Sequence, residues 1–233
     1  MGVRCLARST TTTLDTLAER LANMGAELMA GGMRWHRKCA YQLPRFPEAG
    51  LQELFVLQSS EGAEGEQYIV SRSKTTDGGD AVKRVLRAGA EMSAVLEAMQ
   101  THSQRLKVTL DGTAHKCGDF VVRFGQLSIN NNLAGVAVEV EYLPCNIAAA
   151  AATNAPLHAF LDTVLPEDER DFSSSTVECF ADACDLPIVF GHEHCVLLFV
   201  GLMQSRLLSG MSATSGGAGA APRAVAGGKR PLS

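Results

Sequence analysis

This sequence lacks a long apolar run, a phosphate-binding glycine loop and a closed cysteine framework. Its most apolar stretch, Cys195–Met203, falls far short of the roughly 20 residues that a membrane-spanning helix needs. It is expected to be a buried core helix, and no membrane association is expected. No Gly-x-Gly-x-x-Gly opens a helix after a strand and no Gly-x4-Gly-Lys-Ser/Thr occurs, so nucleotide binding has no support. The seven cysteines, at 5, 39, 117, 145, 179, 184 and 195, are an odd number that suits reduced thiols packed as small apolar groups better than a set of disulfides. The opening MGVRCLARST has no continuous apolar stretch of the kind a signal peptide carries. Leu6 stands where a myristoylation motif wants Ser or Thr. Excess charge of one sign is also lacking. The formal net charge is −4, which gives no general electrostatic reason to bind nucleic acid or an anionic membrane and points to protein partners.

What is present is ordinary globular composition, 46% apolar and 20% charged over 233 residues. A single domain is expected over 1–208. From Ser209 to Ser233 the chain is mostly Gly, Ala, Ser and Pro, a composition that cannot bury enough surface to offset ordering, and a disordered tail is expected.

Along the domain, Val3–Leu6 reads as a strand. A helix follows with Thr12 and Asp15 as a capping pair, Leu14, Leu17, Leu21 and Met24 on one face, and Gly25 as its stop. Gly31–Gly50 has no clear period, and Pro44 and Pro47 argue against a regular central strand at its end. Glu53–Gln58 and Gln67–Ser71 read as strands about an acidic, Gly-rich loop. Asp80 is placed to cap a long helix through about Gln100, with Gly89 a weak point within it. Arg105–Leu110 reads as a strand ending in a turn at Asp111-Gly112. Asn154 and Pro156 open a helix carrying Leu157, Phe160, Leu161, Val164 and Leu165. Pro166–Ser175 reads as a solvated loop, and His194–Leu208 as a final buried helix.

The clearest signal is Cys117–Cys145, CGDFVVRFGQLSINNNLAGVAVEVEYLPC. Phe120, Val122 and Phe124 alternate with Val121 and Arg123, and Val136, Val138, Val140 and Tyr142 alternate with Ala137, Glu139 and Glu141. Asn130, Asn131 and Asn132 between them tolerate a left-handed turn. The segment is a β-hairpin, and Phe120, Val122, Val138, Val140 and Tyr142 are its expected core. The whole predicts an α+β fold with a largely antiparallel sheet and flanking helices.

Three groups of residues carry chemical possibilities. Glu139 and Glu141 share one strand face, and inside a barrel such a pair could hold Mg²⁺ or Mn²⁺, as in tunnel-type metal-dependent triphosphate phosphohydrolases. That chemistry needs several such pairs and basic clamps. The sequence offers one Glu-x-Glu, with Arg123 on the neighbouring strand and Lys107 on another, so a strand edge facing solvent or a partner is the expected role. Cys179, Cys184, His192, His194 and Cys195 have the residue types of a zinc site. Their spacing is loose, and buried thiols beside two surface histidines is the expected arrangement. Arg34, His36, Arg37 and Lys38 around Trp35 could stack on nucleic acid; a partly buried Trp with solvated neighbours fits the acidic chain better. No catalytic residue, metal or cofactor is expected.

CGDFVVRFG followed by GVAVEVEYLPC, together with the opening MGVRCL, resembles subunit 20 of the Mediator transcription coactivator complex, with Gly118 inserted between Cys117 and Asp119. The resemblance implies a barrel-like sheet and a non-catalytic head-module subunit in the nucleus. It further implies a pairing with Mediator subunit 18, a tether through a helix of subunit 8, and an indirect role at RNA polymerase II.

Overall fold

In the computed structural model the structure describes residues 1–29, 34–46, 50–61, 65–74, 80–148, 151–175 and 186–204. Strand β1 (Val3–Ser9) leads into helix α1 (Leu14–Asn23) and a two-residue strand β2 (Glu27–Leu28). Four strands follow: β3 (Arg34–Pro44), β4 (Glu53–Ser59), β5 (Gln67–Lys74) and β6 (Asp80–Ala88). Helix α2 (Met92–Met99) precedes β7 (His102–Cys117), β8 (Phe120–Ile129) and β9 (Asn132–Tyr142). Helix α3 (Ala151–Val164), a 3-10 turn, β10 (Phe172–Ser175) and helix α4 (His192–Leu202) complete the described chain.

All strand pairs are antiparallel, in the order β10-β1-β9-β8-β7-β3-β4-β5-β6, with β2 beside β7. The expectation of an α+β fold with a largely antiparallel sheet and flanking helices holds. The sheet curls but does not close into a barrel; β6 and β10 remain its two ends. Helix α4 packs against β1 and β10 near one end and against β5 near the other. A helix, rather than a ladder of hydrogen bonds, therefore bridges the opening.

Two cores result, one on each face. Inside the curl, α4 is buried from His194 to Leu202 among Trp35, Cys39, Phe55, Tyr68, Val108 and Leu127. On the outer face, Leu17 and Leu21 of α1 and Leu157, Leu161 and Val164 of α3 cover Cys5, Ala7, Val122, Val138 and Val140. The expected hairpin core is in place: Val122, Val138 and Val140 are buried, and the partly buried Phe120 and Tyr142 pack against them.

The hairpin turns at Asn130 and Asn131, both at positive φ (48° and 68°), the pattern of a two-residue turn matched to strand twist. The helical cap sits one residue later than expected, since Thr13 accepts a hydrogen bond from the Thr16 amide.

Four expectations about elements are corrected. The stretch expected as one long helix from Asp80 is strand β6 followed by the short α2. Val82, Val85 and Leu86 fall at helical spacing, but cross-strand pairing with β5 decides for the strand, with Val85 packed against the core and Leu86 exposed. The unreadable segment contains β3, an eleven-residue strand between β4 and β7 that ends at Pro44, where the lost amide matters least. Asp111-Gly112 is no turn but the middle of the sixteen-residue β7. Gly112 lies opposite Gly125, and a Cβ at Gly112 would run into the Phe124 carbonyl and the Gly125 Cα; the glycine permits close strand approach. Finally, the solvated loop expected over Pro166–Ser175 includes β10, which pairs with β1. The expected tail, Ser209–Ser233, lies outside the described residues.

Candidate functional site

Period two puts Arg4, Leu6 and Arg8 on one face of β1, and the register sets Arg4 against Glu141 and Leu6 against Glu139 on β9. Arg123 of β8 is paired with Glu139. Arg37 comes from β3, and Glu61 from the turn after β4. These six side chains meet inside the curl beside α4. Glu139 is 0% exposed, Arg4 and Arg37 2% and Glu141 3%. The expectation that Glu139 and Glu141 form an exposed strand edge is therefore wrong. Both faces of β9 are covered, one by α3 and its surroundings and the other by the arginines, so alternation could not separate inside from outside.

The geometry is that of a charge-balanced ion cluster. Glu139 Oε1 lies 2.7 Å from Arg4 Nη1, and its Oε2 2.7 Å from Arg37 Nη1. Glu141 Oε2 is 2.7 Å from Arg123 Nη2 and 3.1 Å from Arg4 Nη2. Its other oxygen accepts from the Gly2 amide at 2.6 Å. Glu61 lies within 3.0 Å of Arg4, Arg37 and Arg123. Three cations thus meet three anions, which removes most of the cost of burying each charge alone. Burial opposes ionisation of Glu61, but Arg37, Arg4 and Arg123 outweigh it and hold its carboxyl well below the usual carboxylate range. Burial also opposes the charge on Arg37, yet Glu139 and Glu61 raise it above the ordinary arginine value.

This arrangement does not suit metal-dependent phosphoryl chemistry. Glu139 and Glu141 face guanidinium groups, and among the described residues no group of three or more His, Cys, Asp or Glu is arranged to hold a metal ion. The cavity beside the cluster, lined by Arg37, Ser59, Glu61, Tyr68, His192 and Cys195, has a volume of about 10 Å³. That is at most the space of one water.

Of the zinc candidates, Cys179 and Cys184 lie outside the described residues. Cys195 is buried against the cluster, and burial pushes its thiol up to about 12, far from the thiolate a metal or a nucleophile requires. His194 is not on the surface as expected but fully buried, stacked on Phe190 with ring centroids 5.0 Å apart. His192 is half-buried beside Tyr68. The basic-aromatic group also differs from expectation. Trp35 is buried, and Arg37 is not solvated but lies 5.3 Å from the Trp35 ring centre inside the curl, whereas Arg34 and Lys38 are exposed. Lys107, on the opposite face of β7 from Leu106 and Val108, is exposed and takes no part in the cluster.

Sequence reasoning missed Arg4 and Glu61, and it set Arg37 among solvated neighbours of Trp35 instead of in this cluster. A charged residue inside the apolar strand Val3–Ser9 was a usable signal for Arg4. Glu61 carried none, because its acidic, Gly-rich surroundings read as solvated.

Comparison with known proteins identifies relatives. The family model described as TATA-binding related factor (TRF) of subunit 20 of Mediator complex matches residues 1–184. The chain is 33% identical over 55 residues to Mediator of RNA polymerase II transcription subunit 20 of Aedes aegypti, which is 24% of this chain and 25% of that protein. The corresponding protein of Anopheles gambiae is 40% identical over 45 residues, 19% of this chain and 21% of the relative. The aligned stretches thus span a quarter or less of these relatives. Among solved structures, the PH1012 protein of Pyrococcus horikoshii matches with a TM-score of 0.45 and 12% identity, covering 73% of this chain and 94% of that one. The Schizosaccharomyces pombe Mediator head module matches at 0.37 and 14%, over 70% and 91%. A putative adenylyl cyclase from Hippeastrum with triphosphatase activity matches at 0.40 and 9%, over 82% and 100%. At such scores and identities these structures carry no functional argument.

Proposed function

This chain belongs to the family of subunit 20 of the Mediator complex, and we propose that it serves as a non-catalytic head-module subunit acting in the nucleus in regulation of RNA polymerase II transcription. The observation that supports this reading is the family match over residues 1–184. Among the described residues, the curl of the sheet is occupied by α4 and by a charge-balanced cluster, beside which one cavity measures about 10 Å³.

The resemblance of the central hairpin and the chain start further suggests subunit 18 as the pairing partner, through a large sheet contact, and a helix of subunit 8 as the tether. Exposed apolar side chains such as Leu86 on the end strand β6 and Val95 and Met99 on α2 supply area that such a contact would remove from water. The work done is interface burial.

Co-expression of the full chain with subunit 18 tests the pairing. A stable one-to-one complex on size exclusion is expected. Separate elution of two folded monomers at micromolar concentration would contradict it.

A further inference from the structure

The three arginines of the cluster come from three strands, β1, β3 and β8, and all three reach Glu61 as well as Glu139. Glu61 Oε1 is 2.9 Å from Arg4 Nη1 and 3.0 Å from Arg123 Nε, and Oε2 is 2.7 Å from Arg37 Nη2. Guanidinium groups gathered in this way match the oxygen spacing of carboxylate and phosphate alike. Glu139 and Glu141 are fixed in the sheet itself, on β9. Glu61 instead lies two residues past the end of β4 and lines the small cavity that adjoins the cluster.

Two further observations bear on what this place can hold. Arg4 Nε is buried without a hydrogen-bond partner, so the arginines carry a donor that the present carboxylates leave unused. And the charges balance only with Glu61 included: without it, Arg4, Arg37 and Arg123 face Glu139 and Glu141 alone, with one positive charge in excess inside the fold.

We propose that Arg4, Arg37 and Arg123 form an oxyanion site whose resident ligand is the carboxylate of Glu61, and that the site takes inorganic phosphate once that carboxylate is removed. Glu61 is tethered, so its effective concentration at the arginines exceeds that of any free anion and keeps phosphate out of the wild-type protein. This inference is independent of the assembly role.

The test compares thermal unfolding of the full-length wild type, Glu61→Ala and Glu61→Gln in rising inorganic phosphate against chloride at matched ionic strength. Phosphate stabilises proteins generally by exclusion from their surface, so the readout is the shift beyond that of the wild type. For Glu61→Ala the expected result is a saturable extra rise, about 5–10 °C at a hundredfold excess over the dissociation constant. Glu61→Gln keeps the side-chain shape and serves if the alanine variant does not fold; phosphate displacing a neutral amide gives a smaller saturable rise of the same sign. Parallel shifts in the wild type and in every folded variant would overturn the proposal.

Discussion

Arg37 on β3 and Glu139 on β9 make an ion pair of 2.7 Å although β8 and β7 stand between their strands. In a flat sheet, three strand spacings would separate their backbones by about 14 Å. Curling of the sheet, and the reach of the two side chains across its inner face, bring the charges together. The pair is a strut between the walls of the curl, and α4 lies against it.

Removing one member of such a cluster should cost more than the pair is worth in isolation, because the partners stay buried. Glu139→Ala leaves Arg4, Arg37 and Arg123 to share Glu61 and Glu141. A loss of about 3–5 kcal/mol is expected, read as a lower urea midpoint with unchanged slope. Lys107→Ala, at an exposed position outside the cluster, should stay within about 0.5 kcal/mol.

The histidines at the start of α4 should make stability depend on pH. Burial holds both His192 and His194 below the ordinary imidazole value. A group with a depressed folded-state value stabilises the fold above its unfolded value, about 6.5, and loses that contribution as pH falls through the folded value. The melting temperature should therefore fall between pH 7.5 and 5. The slope should be shallower in a His192→Gln/His194→Asn variant, though not flat, because burial lowers His115 in the same direction.

Close approach of β7 and β8 makes a sharp prediction at a residue the sequence assigned to a turn. Gly112→Ala puts a methyl against the Phe124 carbonyl, and strand separation costing about 1–3 kcal/mol is expected. Gly118 has φ of 58° but open space around its missing Cβ, so Gly118→Ala should show backbone strain alone, about 1–2 kcal/mol. Chemical denaturation of both variants checks the difference.

The position of the helix cap is testable in the same way. Thr13→Ala removes the acceptor of the Thr16 amide and should cost about 1 kcal/mol. If Thr12 were the cap, Thr13→Ala would be nearly neutral.

The hairpin was legible because local rules agree there: two clean period-two runs and an Asn turn point to one structure. Strand β3 was not, because its alternation of Trp35, Arg37, Cys39 and Tyr41 mixes a buried charge into the apolar face. Strand β6 was misread because Val82, Val85 and Leu86 fall at helical spacing, and only pairing with its neighbour β5 overrides that local pattern. The sequence placed Glu139 and Glu141 on one face but could not say that the face was interior. That depends on Arg4 and Arg37, distant in the chain, and on α4 covering them. The barrel-like shape came from the family resemblance, because strand periodicity alone says nothing of closure or of a helix filling the gap between sheet ends.

Affinity purification of the tagged full chain from nuclear extract, with mass spectrometry of the proteins recovered, tests the assembly role most directly. Recovery of Mediator subunits, with subunits 18 and 8 among the most abundant, is the expected result. A folded protein recovered alone, or with unrelated partners and no Mediator subunit, would contradict the account.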